Sequence, residues 1–415
     1  LVMNVAASPT NPVAFSLFVI PMSEDLGWSR GELALALTFR LGVAGISAPF
    51  LGALVDRIGA RILGALGGAI AGSCLISLAF IDSLWLFYGA FAVSGLSGFG
   101  GPAGQLLTTV PVAKWFNRKR GRALAVATVG MPLGTAMFVP LLQMLIDGVG
   151  WREAWAISGV IVILLSVPWA LLLLRKDPES MGLEVDGLPA PVSRPDATAV
   201  TTPVETDWTV AQVFRTRAVW LILASMGLTG LLIHGTLVYR VSYWEDVGLD
   251  AGTVAIGTAL DPLTVVFSGL AFGILAERMQ TRYIGLIGGV GVALSMLPMA
   301  FATDSVLLLL AHNITWGAFM GANITVNNII WPNYFGRKFL GTIRGIVFPV
   351  AVGTAAISTP VYALLFGLSS EDRYVWLVTA ACFFVGGLLI LLARRPRLAA
   401  PTPITVVPSV AASDS

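Results

Sequence analysis

Charge is what this chain has least of: Asp, Glu, Lys and Arg make up 12% of its 415 residues, about half the usual share in a soluble domain. Cysteine and histidine are scarcer still, at two each. Cys74 and Cys382 both fall inside apolar blocks, so neither can staple a loop, and both read as packing residues. No zinc-ligand spacing occurs, and no metal site is expected. No Gly-Lys-Ser/Thr follows the glycines, which excludes a phosphate loop and an ATP-driven pump. No nucleophile has a matched histidine, so the expectation is neither enzyme nor cofactor. A formal charge of +2 gives no reason to expect nucleic acid. The ten-residue alternation of a transmembrane β-barrel is missing, as is a cleavable signal peptide. The chain opens on Leu1 within an apolar stretch, so part of the natural N-terminus is expected to precede it.

What fills the chain instead is apolar: 56% hydrophobic residues and 45 Gly, with a mean hydropathy of +0.84. This material comes in blocks of about twenty residues, the length that crosses a ~30 Å hydrocarbon core. They lie near 1–22, 31–55, 62–81, 84–112, 122–147, 153–174, 218–243, 252–275, 284–302, 305–333, 341–367 and 374–393. The expected fold is an all-α polytopic membrane protein of twelve transmembrane helices. Glycine stretches such as "GLSGFGGPAG" (95–104) and "GMPLG" (130–134) would permit close backbone approach and kinks in spans 4 and 5.

Arginine and lysine orient the spans. Arg57 and Arg61 follow span 2, Lys114 to Arg122 follow span 4, and Arg278 and Arg282 follow span 8. Arg337, Lys338 and Arg394 to Arg397 continue the series, with Arg175, Lys176, Arg215 and Arg217 in the middle segment. The opposite loops hold Arg30, Arg152 and Arg373, with Arg240 near the end of span 7. The positive-inside rule then makes both termini cytoplasmic. Residues 1–174 form one six-helix bundle, 175–217 a cytoplasmic linker, 218–395 a second bundle, and 396–415 a flexible tail. In the linker, "LPAPVSRPDATAVTTPVETD" reads as flexible, and "WTVAQVFRTRAVW" as a short amphipathic surface helix with Trp208 and Trp220 as anchors.

The halves repeat. "GALVDRIGAR" at 52–61 aligns with "GILAERMQTR" at 273–282, and "WFNRK" at 115–119 with "YFGRK" at 334–338. Duplicated six-helix units joined by a linker suit a rocking secondary transporter. "GALVDRIGAR" resembles the loop 2–3 signature of the major facilitator superfamily. "KWFNRKRGRALAVATVGMPLG", "GWRE", "DLGWSRGE" and "RKDPESMGLEVDG" are similar to its monocarboxylate and oxalate–formate branch. The resemblance implies two pseudo-symmetric bundles in the inner or plasma membrane, and a monomer alternating between inward- and outward-open states. It also implies a small organic anion as solute, moved by proton symport or exchange. Carriers of this branch generally place an Arg in span 8, where this chain has Gly269.

A charge near the bilayer centre is costly and needs a reason. Arg40 in span 2 would grip a carboxylate, or alternatively snorkel or bond to neighbouring carbonyls. Asp261 in span 8 is a proton-carrier candidate, or else caps a helix beginning at Pro262. His234 and His312 would titrate near neutrality, or serve as interhelical hydrogen-bonding groups. Asn313, Asn323 and Asn327 recur along span 10 with Asn328 beside them, Gln105 lies in span 4, and Asn11 sits in "SPTNP", which suggests an opened backbone. Gly52, Asp56, Arg57, Arg61, Glu277 and Arg278 make a candidate conformational latch. An efflux carrier for amphipathic compounds is the rival reading.

Overall fold

The computed structural model describes residues 1–99, 101–187 and 208–396, which are helical with no β-strand. The linker's Pro-rich part and the tail beyond residue 396 lie outside the described residues. The first span is α1 (Val2–Ala6), a 3-10 turn (Ser8–Thr10) and α2 (Pro12–Leu26). Spans 2 and 3 are α3 (Arg30–Ile58) and α4 (Ala60–Leu78), and span 4 is α5 (Leu84–Leu96) with α6 (Gly101–Trp115). Spans 5 and 6 are α7 (Arg120–Val149) and α8 (Trp151–Leu173). A short α9 (Val210–Phe214) precedes α10 (Arg217–Asp246) and α11 (Ala251–Leu275), spans 7 and 8. Then come α12 (Thr281–Ser295) with α13 (Leu297–Ala300), α14 (Val306–Phe335), α15 (Leu340–Leu368) and α16 (Asp372–Leu392).

Among the described residues, ten helices are long and apolar enough to cross a membrane. The other two spans are interrupted. In the first, Asn11 is extended (φ −75°, ψ 146°) and caps α2, its side chain accepting from Val13 N at 3.2 Å. Pro12 then starts α2 at the position where proline's missing N–H costs nothing. In the fourth, Gly98 takes φ +62° between α5 and α6, a conformation glycine adopts without strain. Elsewhere the caps follow local rules: Ser29 and Glu32 form a reciprocal capping box opening α3, and Asp250 caps α11. Pro262 does not open a helix; it lies inside α11, so Asp261 is a mid-helix residue. Trp208, expected at a membrane surface, is buried against Phe335, with ring centroids 6.1 Å apart. Trp220 is exposed.

Three apolar cores place the bundles relative to each other. One is confined to spans 1–6 and includes Phe18 stacked on Trp155, centroids 3.7 Å apart. A second is confined to spans 7–12, around Trp244, Trp316 and Trp376. The third spans both, joining Val55, Val110 and Leu124 to Ile343, Val347 and Phe335. It lies at the end carrying loops 2–3, 4–5, 8–9 and 10–11, here termed the basic end. The halves are therefore fused at the basic end, while their cores are separate toward the other.

Glycine makes that fusion possible. A Cβ on Gly52 would stand 2.1 Å from the Gly341 carbonyl, and one on Gly121 would stand 2.0 Å from that of Gly273. These backbone contacts are pseudo-symmetric, α3 on α15 and α7 on α11. Overpacking of this kind costs roughly 1–3 kcal/mol. Gly52→Ala is therefore expected to separate α3 from α15 in a large fraction of molecules, read as a longer spin-label distance across the basic end. An unchanged distance distribution would contradict this packing account.

Candidate functional site

A cavity of about 210 Å³ lies between the bundles just inside the fused end. Its walls come from α6, α7, α11 and α14, with Asn4 of α1. Most of the lining is apolar (Leu124, Val129, Val265, Ile324), and its polar side chains are uncharged: Asn4, Gln105, Thr109, Thr128, Thr325 and Asn328. Gly269 lines it as well, and a Cβ built there would meet nothing within 4 Å. The space a span 8 arginine would occupy is thus open.

The guanidinium comes from a different span. Arg344, one turn into α15, donates from Nη1 to Thr109 Oγ1 at 2.6 Å. Its Nη2 donates to Gln105 Oε1 and Asn328 Oδ1, both at 3.3 Å. All three acceptors are neutral, and among the described residues no carboxylate pairs with Arg344. A fork of donors satisfied by exchangeable neutral groups is suited to a carboxylate, which would bond it bidentately. Arg344 was missed in the sequence because it falls four residues into its span, inside "GTIRGIVF", where it reads as one of the loop cations. The signal available was its offset: it lies past "YFGRK", at residues 334–338, and already on an apolar helix.

The expected site residues separate into several places. Gln105 lines the cavity. Asn323 and Asn327 do not share it: they bond each other at 2.9 Å and border a cleft of about 20 Å³ toward α10, α12 and α16. The cavity-facing amide of span 10 is Asn328, one residue on. Asn11 caps α2 and donates to Thr135 Oγ1 at 3.3 Å. His234 is exposed on α10. His312 and Asn313 are fully buried within the second bundle. His312 Nδ1 lies 2.7 Å from Ser295 O, and the ring sits between Trp244 and Trp316.

Asp261 has a partner that the sequence did not reveal. Its carboxylate accepts from Arg240 Nη2 at 2.7 Å, with both side chains more than nine-tenths buried. Arg240 looked like an outer-loop cation, yet it lies under the α10–α11 contact, over the Trp316 ring at 5.8 Å. Among the described residues its Nε and Nη1 have no hydrogen-bond partner, nor has His312 Nε2. A buried ion pair with unspent donors is expensive and weak evidence of stability.

Arg40 does not face the cavity. It donates to Thr10 O, to Thr10 Oγ1 at 3.1 Å and to Phe99 O at 3.2 Å. Those carbonyls are left over by the breaks in spans 1 and 4, so one guanidinium caps both interruptions. Of the two readings weighed above, bonding to neighbouring carbonyls is the one this geometry matches. Arg40→Leu would strand these acceptors at about 1–3 kcal/mol each. The expected result is lower thermal stability in detergent, with the order of preference among solutes unchanged; a changed order would contradict a capping role.

At the basic end Asp56 crosses between bundles. It accepts from Gly341 N (3.0 Å), Thr342 N (2.7 Å) and Thr342 Oγ1 (2.9 Å), the first turn of α15, and from Lys114 Nζ (2.8 Å). The N-terminus of α15 is a natural seat for an anion. Glu277 is the counterpart: Arg122, at the start of α7, donates to it from Nε at 2.8 Å and from its backbone N at 3.4 Å. Arg57, Arg61 and Arg278 are exposed and stand outside these contacts. Beside them Arg120 donates to Asn333 (2.7 Å), and Arg337 to Lys114 O (2.6 Å) and Glu179 (3.1 Å).

Two helical bundles around a cavity sealed at one end form a multi-pass membrane protein of the solute-carrier kind. The model of the Major Facilitator Superfamily matches residues 3–358, and the chain belongs to that family. Monocarboxylate transporter 12-B of Danio rerio is 24% identical over 360 residues, covering 82% of this chain and 73% of its own. The oxalate:formate antiporter of Oxalobacter formigenes is 24% identical over 355 residues, covering 83% and 78%. The solved structure of the proton:xylose symporter XylE bound to 6-bromo-6-deoxy-D-glucose superposes with a TM-score of 0.60 at 13% identity, covering 94% of this chain and 91% of that one.

Proposed function

We propose that the protein carries a small organic monoanion, most simply a monocarboxylate, across the inner or plasma membrane by alternating access. The observation that carries this reading is Arg344: its guanidinium is held by three neutral side chains that line the cavity. The names of the relatives, monocarboxylate transporters and an oxalate:formate antiporter, support it. One cation with open space at Gly269 favours one carboxylate over two, and the apolar walls favour a hydrocarbon body. The basic end is read as cytoplasmic, with both termini there, so this conformation is closed inward. Proteoliposome counterflow with labelled mono- and dicarboxylates tests the reading; exchange of neither class would end it.

Gating follows from where Arg344 sits. In the closed state it tethers α15 to Gln105 and Thr109 of the first bundle. A bound carboxylate would draw the guanidinium off those neutral acceptors, loosening the seal one turn from the Asp56 contact. Solute binding then favours opening toward the cytoplasm, the differential interaction that a population shift requires.

For coupling, we read Asp261 as the proton carrier and Arg240 as its counter-ion. Protonation dissolves the pair and frees α10 to move on α11. Asp261→Asn is expected to abolish accumulation driven by a pH gradient while solute exchange continues. If gradient-driven accumulation survives in the variant, the proton passes elsewhere.

A further inference from the structure

A second cavity, of about 550 Å³, opens on the basic end beside the Asp56 contact. It is built by five parts of the chain: the ends of α3 and α6, the segment after α8, the first residue of α9, and the start of α15 with its preceding loop. Its charge is unbalanced, with five cations facing three carboxylates. Two acids are already matched, Asp56 by Lys114 at 2.8 Å and Glu179 by Arg337 at 3.1 Å. The third, Asp177, accepts from Ser180 N at 2.9 Å. Arg57 and Lys176 are exposed and have no acidic partner among the described residues; Lys176 Nζ instead donates to the Arg57 carbonyl at 2.9 Å.

We infer that this cavity is a regulatory site for a phosphate-bearing anion, held by Arg57 and Lys176. The volume falls within the ~300–1,000 Å³ range of small-molecule sites. Surplus cations near an anionic inner leaflet attract phosphate-bearing headgroups. Both bundles contribute walls, so the cavity exists as a unit only while the basic end is closed. An anion seated there binds one conformation and therefore favours it, in proportion to ligand over Kd. Occupancy holds the carrier closed toward the cytoplasm. The proposal goes beyond the solute reading and stands whatever the cargo.

Spin labels at Arg61→Cys and Gln280→Cys, with Cys74 and Cys382 replaced by Ala, would report the gap between loops 2–3 and 8–9. Distances are measured in phosphatidylcholine nanodiscs, in discs containing phosphatidylglycerol, and in phosphatidylcholine discs with millimolar inorganic phosphate. The expected result is a severalfold rise in the closed-to-open ratio with lipid phosphate or with free phosphate, and whichever acts identifies the source. In Arg57→Gln/Lys176→Gln, whose side chains are exposed, the rise should fall to less than half. No rise from either source would overturn the proposal, and so would an undiminished rise in the double variant.

Discussion

Arg344→Gln is expected to cut uptake of a carboxylate solute at least a hundredfold at subsaturating concentration, in protein that still purifies as a monodisperse species. Glutamine keeps hydrogen bonds to Gln105, Thr109 or Asn328 within reach but supplies neither charge nor fork. Hydrogen bonds to a charged group contribute about 1.5–3 kcal/mol each. Losing a bidentate pair therefore costs more than the ~2.7 kcal/mol of a hundredfold change. Arg344→Lys keeps the charge without the planar geometry, so intermediate uptake with a raised KM is expected. Uptake assays over a concentration series separate these outcomes. If Gln and Arg support equal rates, the guanidinium does not touch the solute.

Asp56→Asn is expected to open the basic end. The carboxylate side chain is 6% exposed and ties Lys114 to the first turn of α15. The amide retains the shape and one acceptor, but it loses the charge and turns a donor toward backbone N–H groups. Breaking a buried charged network of this kind costs about 3–5 kcal/mol when one partner is deleted, and the isosteric change should cost roughly 1–3. That corresponds to a ~5–150-fold shift in the closed-to-open ratio. Alkylation of a cysteine at Leu124, a buried cavity residue beneath the latch, from inside-out vesicles would read it. Equal labelling rates in the two backgrounds would contradict the latch. Glu277→Gln should act in the same direction but more weakly, because its partner Arg122 is half exposed and solvent screens the pair.

The spans were legible in the sequence because bilayer thickness imposes a length that composition alone reports. The superfamily was legible because "GALVDRIGAR" and its repeat preserve charges at fixed offsets. Interrupted helices were legible: "SPTNP" announced the break in span 1, and the glycines of "GLSGFGGPAG" a kink in span 4, where Gly98 parts α5 from α6. The site was read less well, for a physical reason. Position along a span gives depth but not azimuth, so the sequence offers Asn323, Asn327 and Asn328 together, whereas of these three Asn328, about 100° around the helix from Asn327, faces the cavity. A mid-span charge such as Arg40 stands out in the sequence, whereas the carbonyls it caps become visible only once two helices break beside it. Arg240 and Arg344 lie within two turns of helix ends, where arginine usually reports topology, so neither stands out in the sequence.

In the proposed function the Arg344 guanidinium, held by residues that line the cavity between the bundles, takes the solute's single carboxylate. Counterflow in proteoliposomes, comparing a labelled monocarboxylate with a dicarboxylate of similar size for the wild type and Arg344→Gln, tests it most directly. The expected result is exchange of the monocarboxylate by the wild type, little exchange of the dicarboxylate, and neither in the variant. Robust monocarboxylate exchange by Arg344→Gln, or exchange of neither acid by the wild type, would contradict it.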